Sequence, residues 1–595
     1  MDLFGSFKLQ RETRPEAAAF LITSGDRSVP ISWRQFTDDI AAGAWLIEHY
    51  AEGGAIGILG ENSYEWMVVH AASLFCGAIA VPLDINLNAE EIVSRLRAVG
   101  ARALIHSSLY LEKACDVAAM MPALVRTGFG TRAADRFLDK ARAALVREGK
   151  TIFDRPSIDR SRTSMIVFTS GTTSEPRGAM LTIEGLEAFG SYAEEALSMQ
   201  TGERSLMLLP LHHIYGIAST YAMLAKGVAL GVCPDFRRIY DAVARFRVNY
   251  LFLVPALAEI LAAKIERHGC SAEEALGSPI DWALIGGAPL PRRTYERLMA
   301  LGIKAITAYG LTETTALYSI APVAGDAHVG SAGHAARLPG LETKVSSTGE
   351  LLIRGPNVMK GYWNMPARTA QAIDAEGWFH TGDLGRIDED GFVWITGRGS
   401  RTIVLSSGKK IAPEELEEKL LSVPGVLEAL VSGEGESREV CAEIYASVSE
   451  EAVRRGVDAL NRSLPVYKRF SRVVVRTTPF PRTSSGKIRL SRSTVAKAPL
   501  ISLKNDLLLD EHRRAIVLKV LTPVLLVTGI VMCWLSSFLL PYWFYARLHK
   551  EVPVEVHEIF MLLQQVGVAL SVIALVMGIF LVRRFARRLW RLLRP

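Results

Sequence analysis

Cysteine is scarce in this chain of 595 residues, and no two cysteines have the C-x-x-C spacing that is typical of zinc ligands. The six cysteines stand singly, at Cys76, Cys115, Cys233, Cys270, Cys441 and Cys533. This distribution excludes a disulfide-stabilised secreted scaffold and a zinc-stabilised domain. It is typical of a protein in a reducing compartment.

A strong excess of charge of either sign is also lacking. The 68 Lys and Arg residues face 62 Asp and Glu residues, which leaves a net charge of only +6. The excess lies in the C-terminal tail, at Arg583, Arg584, Arg587, Arg588, Arg591 and Arg594. The rest of the chain is neutral overall, so the composition argues against a nucleic-acid partner.

The N-terminal sequence lacks an apolar run of signal-peptide length, and no internal repeat or low-complexity block occurs. A cleaved secretion signal is therefore not expected, and the polar part of the chain is predicted to remain in the cytosol. Hydrophobic residues make up 49% of the composition, which is enough for several large cores and excludes a disordered chain.

Long hydrophobic runs are confined to the C-terminal end. Residues 520–546 and 559–582 contain no charged side chain, and each run exceeds the roughly 20 residues that cross a bilayer as a helix. These runs predict two transmembrane helices, with a lipid bilayer as partner. A buried helical hairpin of a soluble domain is the alternative.

Basic residues flank both ends of this hairpin, whereas the loop between the two runs has only two of them. Both termini and the polar domains are therefore predicted to face the cytosol, at the inner (cytoplasmic) membrane if the source is bacterial. The basic tail at 583–595 would either lie on anionic lipid or act as a stop-transfer flank.

Short apolar runs alternate with amphipathic stretches over the first 397 residues, as in AIGILG at 55–60 and AIAVPLD at 78–84. This alternation predicts an α/β fold class, with a large N-terminal domain of layered sheets and helices at 1–397. A small α+β domain is predicted at 398–500, a linker at 501–514 and the transmembrane hairpin with its tail at 515–595.

The segment MIVFTSGTTSEPRGAML at 165–181 begins as a strand and continues in small and hydroxyl-bearing residues. Its N–H groups and the hydroxyls of Thr169, Ser170, Thr172 and Thr173 can surround phosphate oxygens. It is not a Walker A loop, because the pattern G-x-x-x-x-G-K-[ST] is missing. An ordinary Ser/Thr-rich turn has the same composition, so the residues alone leave both interpretations open.

This segment resembles the signature of the acyl-adenylate-forming (AMP-binding) superfamily of acyl-CoA synthetases, adenylation domains and luciferases. Further motifs follow in that superfamily's order: PLHHIYG at 210–216, IGGAPLP at 285–291, AYGLTET at 308–314, GELLIRGPNVMKGYW at 349–363, GWFHTGDLG at 377–385, GR at 397–398, LSSGKKIAPEELE at 405–417 and PRTSSGKIRL at 481–490. The likeness is greatest to long-chain fatty acyl-CoA synthetases.

The resemblance implies an AMP-forming acid–thiol ligase. A carboxylate would attack the α-phosphorus of ATP to give an acyl-adenylate and pyrophosphate, and a thiol would then displace AMP to form a thioester. ATP and Mg²⁺ are the implied cofactors, and coenzyme A is the implied acceptor. The small C-terminal domain would be mobile and rotate between the two half-reactions.

The resemblance also assigns roles to residues around the phosphates. Thr169 and Glu313 would hold Mg²⁺, and Lys487 would be the mobile catalytic lysine that neutralises charge at the α-phosphate. Without the resemblance, Glu313 and Lys487 would be interpreted as solvated surface residues. The phosphate loop from Thr169 to Gly178 would include Ser170, Gly171, Thr172, Thr173 and Arg177.

The remaining implied roles concern the nucleoside and the acid. Gly287, Ala288, Pro289 and Tyr309 would lie along adenine, Thr312 would contact the α-phosphate, and Asp383 and Arg398 would contact ribose. Gly310 would also belong to the nucleotide site. His213 would stand beside the acyl site, although a packed or helix-capping histidine is the alternative.

Four positions depart from the superfamily's pattern. Ser174 replaces a glycine, and Arg177 replaces a lysine. In the hinge region, Ser400 stands where lysine is common, and Arg401 stands where an acidic residue or lysine is usual. The predicted substrate is a medium- or long-chain fatty acid. The alternatives are transfer to a carrier-protein phosphopantetheine, activation of an aryl acid, or a non-catalytic lipid-binding scaffold.

Overall fold

A computed structural model describes residues 1–24, 27–129, 142, 153, 158–169, 176–321, 328–405, 410–434 and 439–481. Residues 1–470 and 474–498 form one compact unit. The other unit, 471–473 with 499–595, lies almost entirely outside the described residues.

The first large sheet has six strands, in the spatial order Val125–Phe129, Ala103–Ser107, Ala55–Leu59, Ile79–Leu83, Thr163–Thr169 and Arg177–Thr182. All neighbours are parallel except the last pair, which forms an antiparallel hairpin. Every residue of the strand Ala55–Leu59 is buried, as expected for a parallel strand that is covered on both faces.

The second large sheet has nine strands, in the spatial order His334–Ala335, Ser319–Ile320, Lys304–Tyr309, Trp282–Ile285, Tyr250–Leu253, Arg204–Met207, Ala229–Val232, Ala18–Ser24 and Arg27–Ser32. Its central neighbours are parallel, and the pairs at both edges are antiparallel. Parallel pairing places the carboxyl ends of these central strands at one edge of the sheet.

Helices pack between and around the two sheets. They span Leu3–Thr13, Trp33–Ala51, Tyr64–Cys76, Ala89–Ala98, Leu111–Met120, Ile183–Ala196, Ile214–Lys226, Ile239–Phe246, Pro255–Glu266, Ala272–Leu276, Arg292–Ala300, Pro366–Ala372, Pro413–Leu421 and Glu450–Ser463. Short 3₁₀ turns span Ser108–Tyr110, Phe236–Arg238, Thr312–Thr314, Gly399–Arg401 and Val466–Lys468. One apolar cluster contains side chains of both sheets and of the helices between them, so the two layers share a core.

The helix Tyr64–Cys76 shows how local sequence produces this packing. The Ser63 side chain accepts a hydrogen bond from the Trp66 N–H at 3.1 Å, which caps the helix start. Gly77 ends the helix with a φ of 75°, a conformation that favours glycine. Between these caps the helix is buried almost throughout, as expected for a helix that lies inside the protein.

An antiparallel sheet of four strands follows, with the strands Glu342–Val345, Glu350–Arg354, Phe379–Ile387 and Val393–Arg398 in that order. After it come the paired strands Ile403–Val404 and Lys410–Ile411, the paired strands Val426–Glu434 and Glu439–Ala446, and the strand Arg472–Arg476. The prediction of a layered α/β part followed by a small α+β part is thus confirmed.

The prediction of two transmembrane helices is contradicted. Among the residues that the structure describes, no helix is long and apolar enough to cross a membrane. The longest described helix, Trp33–Ala51, has 19 residues and carries Arg34, Asp38, Asp39 and Glu48. The fold class is therefore corrected to α/β with a small C-terminal domain, and the predicted integral-membrane location is withdrawn.

The uncharged runs that suggested the hairpin, 520–546 and 559–582, lie outside the described residues, as do the tail at 583–595 and the predicted linker at 501–514.

Candidate active site

The carboxyl edge of the nine-stranded sheet carries the first group of predicted site residues. The strands Tyr250–Leu253, Trp282–Ile285 and Lys304–Tyr309 run parallel, with Ile285 in register with Thr307. Open α/β sheets bind ligands beyond this edge of their strands. Gly287, Ala288 and Pro289 follow directly and are exposed, and Gly287 has a φ of 83° that favours glycine.

The structure explains why residue 310, at this edge, is a glycine. A Cβ atom on this residue would lie 2.2 Å from the carbonyl carbon of Ala316, so the chain can fold back only if the side chain is absent. The fold-back is fixed by a hydrogen bond from the Ala316 N–H to the Leu311 carbonyl oxygen at 2.9 Å. It presents the turn Thr312–Thr314, which includes the predicted residues Thr312 and Glu313, both half-buried.

The buried carboxylate of Asp383 connects the carboxyl edge of the nine-stranded sheet to the four-stranded sheet. Asp383 and Arg398 are direct cross-strand partners, and the Arg398 Nε donates to Asp383 Oδ1 at 2.8 Å. The Tyr309 hydroxyl donates to the other carboxylate oxygen, Oδ2, at 2.6 Å. Burial, together with the charge of Asp383, raises the pKa of Tyr309 well above its usual value, so the phenol remains a donor.

This arrangement suits a neutral, hydroxyl-bearing ligand. Asp383 is only 3% exposed, and the neighbouring guanidinium already compensates its charge. Each carboxylate oxygen has a second lone pair that can accept from a ligand hydroxyl, and the half-exposed Arg398 can donate to one. The structure therefore brings the predicted ribose pair together and adds Tyr309 to it.

The phosphate loop connects two antiparallel strands of the six-stranded sheet. Thr169 ends the first strand and Arg177 begins the second, and the two residues are direct cross-strand partners. A Cβ atom on Gly178 would lie 2.7 Å from Ile166 Cγ2, so glycine permits the close packing of this hairpin. Ser170, Gly171, Thr172, Thr173 and Ser174 lie outside the described residues.

A second carboxylate, that of Glu313, is held by a tyrosine, Tyr362. The Tyr362 hydroxyl donates to Glu313 Oε1 at 2.8 Å. The turn that carries Glu313 is fixed by the buried Asn357, whose amide donates to the carbonyl oxygens of Thr314 and Leu317 at 3.2 and 2.9 Å. Burial, together with the charge of Glu313, raises the pKa of Tyr362.

Glu313 has the properties of a ligand for a hard divalent cation. Within the described ranges, neither lysine nor arginine forms an ion pair with it, and its Oε2 atom accepts no hydrogen bond. Carboxylate and hydroxyl oxygens are the protein ligands that Mg²⁺ takes beside phosphate oxygens and water. Glu313 therefore fits the predicted metal, and Thr169, at the end of its strand, has a hydroxyl oxygen of the same ligand class.

Arg177 contacts the same tyrosine. Its guanidinium carbon lies 5.8 Å from the centroid of the Tyr362 ring. A planar guanidinium packs on an aromatic face better than an ammonium does, which gives the departure from lysine a structural context. Tyr362 has no predicted role, although it stands in the quoted segment GELLIRGPNVMKGYW; nothing in the sequence pairs it with Glu313.

His213 occupies the N-cap position of the helix Ile214–Lys226, and no hydrogen bond from its side chain caps that helix. Its ring centroid lies 4.4 Å from that of His212. The His212 Nε2 atom is 3.6 Å from Asp84 Oδ1, and removal from water lowers the pKa of His212. The preceding turn is held by Asn62, which donates to the Leu209 carbonyl oxygen at 2.9 Å. Asn62 is a second contributor without a predicted role.

The hinge residue Arg401 is bound to the small C-terminal part. Its guanidinium contacts Glu414 at 2.9 Å and also pairs with Glu417, both on the helix Pro413–Leu421. Although burial opposes it, these two carboxylates raise the pKa of Arg401. The predicted catalytic Lys487 lies outside the described residues.

The sequence matches a known family over most of its length. The profile described as AMP-binding enzyme matches residues 7–363, and that described as AMP-binding enzyme C-terminal domain matches residues 400–498.

Two curated relatives and one crystal structure illustrate the range of similar proteins. The long-chain-fatty-acid–CoA ligase FadD15 of Mycobacterium bovis is 29% identical over 433 residues, which cover 64% of this chain and 71% of the relative. The indoleacetate–CoA ligase of Aromatoleum aromaticum is 30% identical over 363 residues, which cover 58% and 70%. The crystal structure of ATP-bound MatB from Rhodopseudomonas palustris superimposes with a TM-score of 0.71 at 25% identity, over 82% of this chain and 97% of MatB.

Proposed function

Because this chain belongs to the AMP-binding enzyme family, we propose that it activates a medium- or long-chain fatty acid and transfers the acyl group to coenzyme A. The general activity of this family is that of an AMP-forming acyl-CoA ligase, which uses ATP with Mg²⁺ and takes coenzyme A as the acceptor. A carboxylate oxygen forms a bond to the α-phosphorus of ATP while the bond to pyrophosphate breaks. The thiol of coenzyme A then attacks the acyl carbon, and AMP leaves.

The contrast between two carboxylates is the observation that carries the assignment of the site. Asp383, whose charge Arg398 compensates, would accept hydrogen bonds from the ribose hydroxyls. Glu313, which has no basic partner in the described part of the chain, would hold Mg²⁺ together with Thr169. When bound, the metal ion supplies positive charge where negative charge develops on the phosphates.

The other predicted residues complete the proposal. Residues 287–289 and Tyr309 would lie along adenine, and Gly310 and Thr312 would lie near the α-phosphate. The loop from Thr169 to Gly178 would surround the β- and γ-phosphates, with Arg177 at its end. His213 would border the acyl site, and Lys487 would supply a positive charge as the acid oxygen approaches the α-phosphorus.

The likeness to FadD15 supports a fatty acid as the substrate. The sequence segments GILGENSYEWMV and VLSSGKKIAPEELE, which read much like those of long-chain synthetases, support the same choice. An aryl acid is the second candidate, because the indoleacetate–CoA ligase is similar to the same extent.

A pyrophosphate-release assay with a panel of acids tests the proposal. Purified protein with ATP and Mg²⁺ receives octanoate, palmitate, indoleacetate, ferulate or no acid, and coenzyme A is added in a second series. We expect release that depends on a fatty acid and a thioester product that appears only with coenzyme A. A holo-carrier protein replaces coenzyme A in a third series, and the Glu313→Gln variant is the matched control for background release of pyrophosphate. Release with the aryl acids alone would refute the fatty-acid assignment, and a thioester formed only on the holo-carrier protein would refute the acceptor.

A further inference from the structure

We infer that Tyr362 is a positioning residue of the metal site: its hydroxyl orients Glu313, and its ring supports Arg177. The inference rests on the proposed function and assigns a role to a side chain that has none so far. Tyr362 itself would contact neither the metal nor the nucleotide, because its hydroxyl is already bound to Glu313.

The backbone around Tyr362 connects the phosphate hairpin to the metal turn. The Lys360 N–H donates to the Met180 carbonyl oxygen at 2.9 Å, and the Trp363 N–H donates to the Gly178 carbonyl oxygen at 2.8 Å. On the other side, the Met359 N–H donates to the carbonyl oxygen of Glu313 at 2.8 Å. The segment 359–363 thus fixes the distance between the end of the phosphate loop and the carboxylate.

The hydroxyl of Tyr362 holds Glu313 without neutralising it. The Tyr362 side chain is largely buried, with 6% of the residue exposed, and a phenol carries no charge at neutral pH. A lysine or arginine at this place would orient the carboxylate too, but its charge would compete with a cation for the same oxygens. A phenol donates one hydrogen bond to Oε1, adds no positive charge, and leaves the Oε2 atom open to a cation.

The aromatic ring makes the second contribution. The guanidinium of Arg177 lies over it at 5.8 Å, and Arg177 is the last cation of the phosphate loop. The ring therefore supports the cation that would face the phosphates, while the hydroxyl orients the anion that would face the metal. Arg177 also acts on the Tyr362 hydroxyl, so replacement by phenylalanine removes the contact to Glu313 and weakens that to Arg177, whereas replacement by leucine removes both.

Direct binding measurements test this division. Mn²⁺ binding in the presence of ATP and the absence of acid is followed by electron paramagnetic resonance, and ATP binding without metal is followed by calorimetry. For Tyr362→Phe we expect Mn²⁺ affinity to fall about 10-fold, the lower end for loss of a residue that orients a metal ligand, with a smaller fall in metal-free ATP affinity because the ring under Arg177 remains. For Tyr362→Leu we expect both affinities to fall.

Tyr318→Phe is the matched control, because Tyr318 is also a buried tyrosine and its hydroxyl donates to the Leu352 carbonyl oxygen at 3.2 Å rather than to a carboxylate. We expect this variant to bind Mn²⁺ and ATP as the wild type does. Wild-type Mn²⁺ affinity in Tyr362→Phe, with Glu313→Gln impaired, would overturn the inference and leave the proposed function intact. Failure of the wild type to bind Mn²⁺ with ATP would overturn both.

Discussion

Asp383 and Glu313 are both held by a tyrosine hydroxyl, at 2.6 Å from Tyr309 and 2.8 Å from Tyr362, yet their electrostatic surroundings differ. Asp383 is buried and paired with the Arg398 guanidinium at 2.8 Å. Glu313 is half-buried and has no basic partner among the residues that the structure describes.

The difference indicates what each carboxylate can bind. A carboxylate that a guanidinium already compensates gains little from a further cation, but it still accepts hydrogen bonds from neutral hydroxyls. An uncompensated carboxylate attracts a cation, and a fixed orientation reduces the entropy that metal binding costs. Similar tyrosine contacts would therefore position two carboxylates for different ligands. A substitution at Glu313 should change the dependence of the reaction on Mg²⁺, and one at Asp383 should change KM for ATP.

The largest effect is expected for Glu313→Gln. The amide cannot compensate the charge of Mg²⁺, so we expect kcat/KM for adenylation to fall about 100- to 1000-fold, as for the loss of one transition-state electrostatic contact. Pyrophosphate release over a Mg²⁺ titration measures the loss, and ATP binding without metal should stay unchanged. Equal losses with and without metal would contradict a metal-ligand role.

Asp383→Asn should give the next largest effect, and mainly in KM for ATP. Loss of the charged acceptor weakens hydrogen bonds worth about 1.5–3 kcal/mol each, so we expect KM to rise roughly 10- to 100-fold with a smaller change in kcat. The rise should be the same at low and saturating Mg²⁺. Dependence of this effect on Mg²⁺ would remove the distinction between the two carboxylates.

Tyr309→Phe should have a smaller effect on the same parameter. The ring remains, and only the hydrogen bond to Asp383 is lost, so a rise of about fivefold in KM for ATP is expected, which corresponds to about 1 kcal/mol. Steady-state kinetics at saturating acid check it. A large fall in kcat with unchanged KM would place Tyr309 in the chemical step instead.

The smallest effect concerns His380, on the strand that carries Asp383. The Nδ1–H of His380 donates to the Glu350 carboxylate at 2.9 Å, and this hydrogen bond, together with the nearby Asp374, raises the pKa of His380 above its usual value. The stabilisation is therefore fully present below the unfolded-state pKa and is lost as pH rises through the raised value. We expect His380→Gln to lower the melting temperature modestly at pH about 6 and hardly at all at pH about 9.

KM for ATP of this variant should follow the wild type at both pH values, since His380 lies outside the proposed nucleotide contacts. A parallel shift of KM with this titration would show that the strand's charge acts on Asp383.

Much of the fold could be predicted because buried parallel strands read as uniform apolar runs. The run at 55–60 is such a strand, and every residue of Ala55–Leu59 is buried. Asp383 and Arg398 were expected on one ligand because of the motifs GWFHTGDLG and GR. The structure places them as cross-strand partners, a relation that the spacing of the motifs alone does not determine.

The contacts of the two tyrosines could not be predicted. Tyr362 and Glu313 are 49 residues apart, and Tyr309 and Asp383 are 74 apart. Such pairs depend on how separate elements pack, and neither residue type nor periodicity encodes the partner. The ion cluster of Arg401 with Glu414 and Glu417 is a further case, since the sequence indicated only a departure from the hinge pattern.

The prediction of membrane helices shows the opposite failure. Hydropathy measures only whether a segment could enter a bilayer. Here the apolar runs between residues 520 and 582 were the basis for predicting a membrane location for the whole chain. Some of the described helices, such as Tyr64–Cys76, are buried almost throughout, yet none of them is long and apolar enough to span a membrane.

A single-turnover reaction tests the central claim most directly. Protein in excess over ATP labelled at the α-phosphate is mixed with palmitate and Mg²⁺, without coenzyme A, and the products are separated after quenching. We predict labelled acyl-AMP in an amount equal to the pyrophosphate released, its disappearance when coenzyme A is added, and its formation about 100- to 1000-fold more slowly in Glu313→Gln. ATP that remains intact with every acid of the panel, or acyl-AMP formed equally well by Glu313→Gln, would contradict the account.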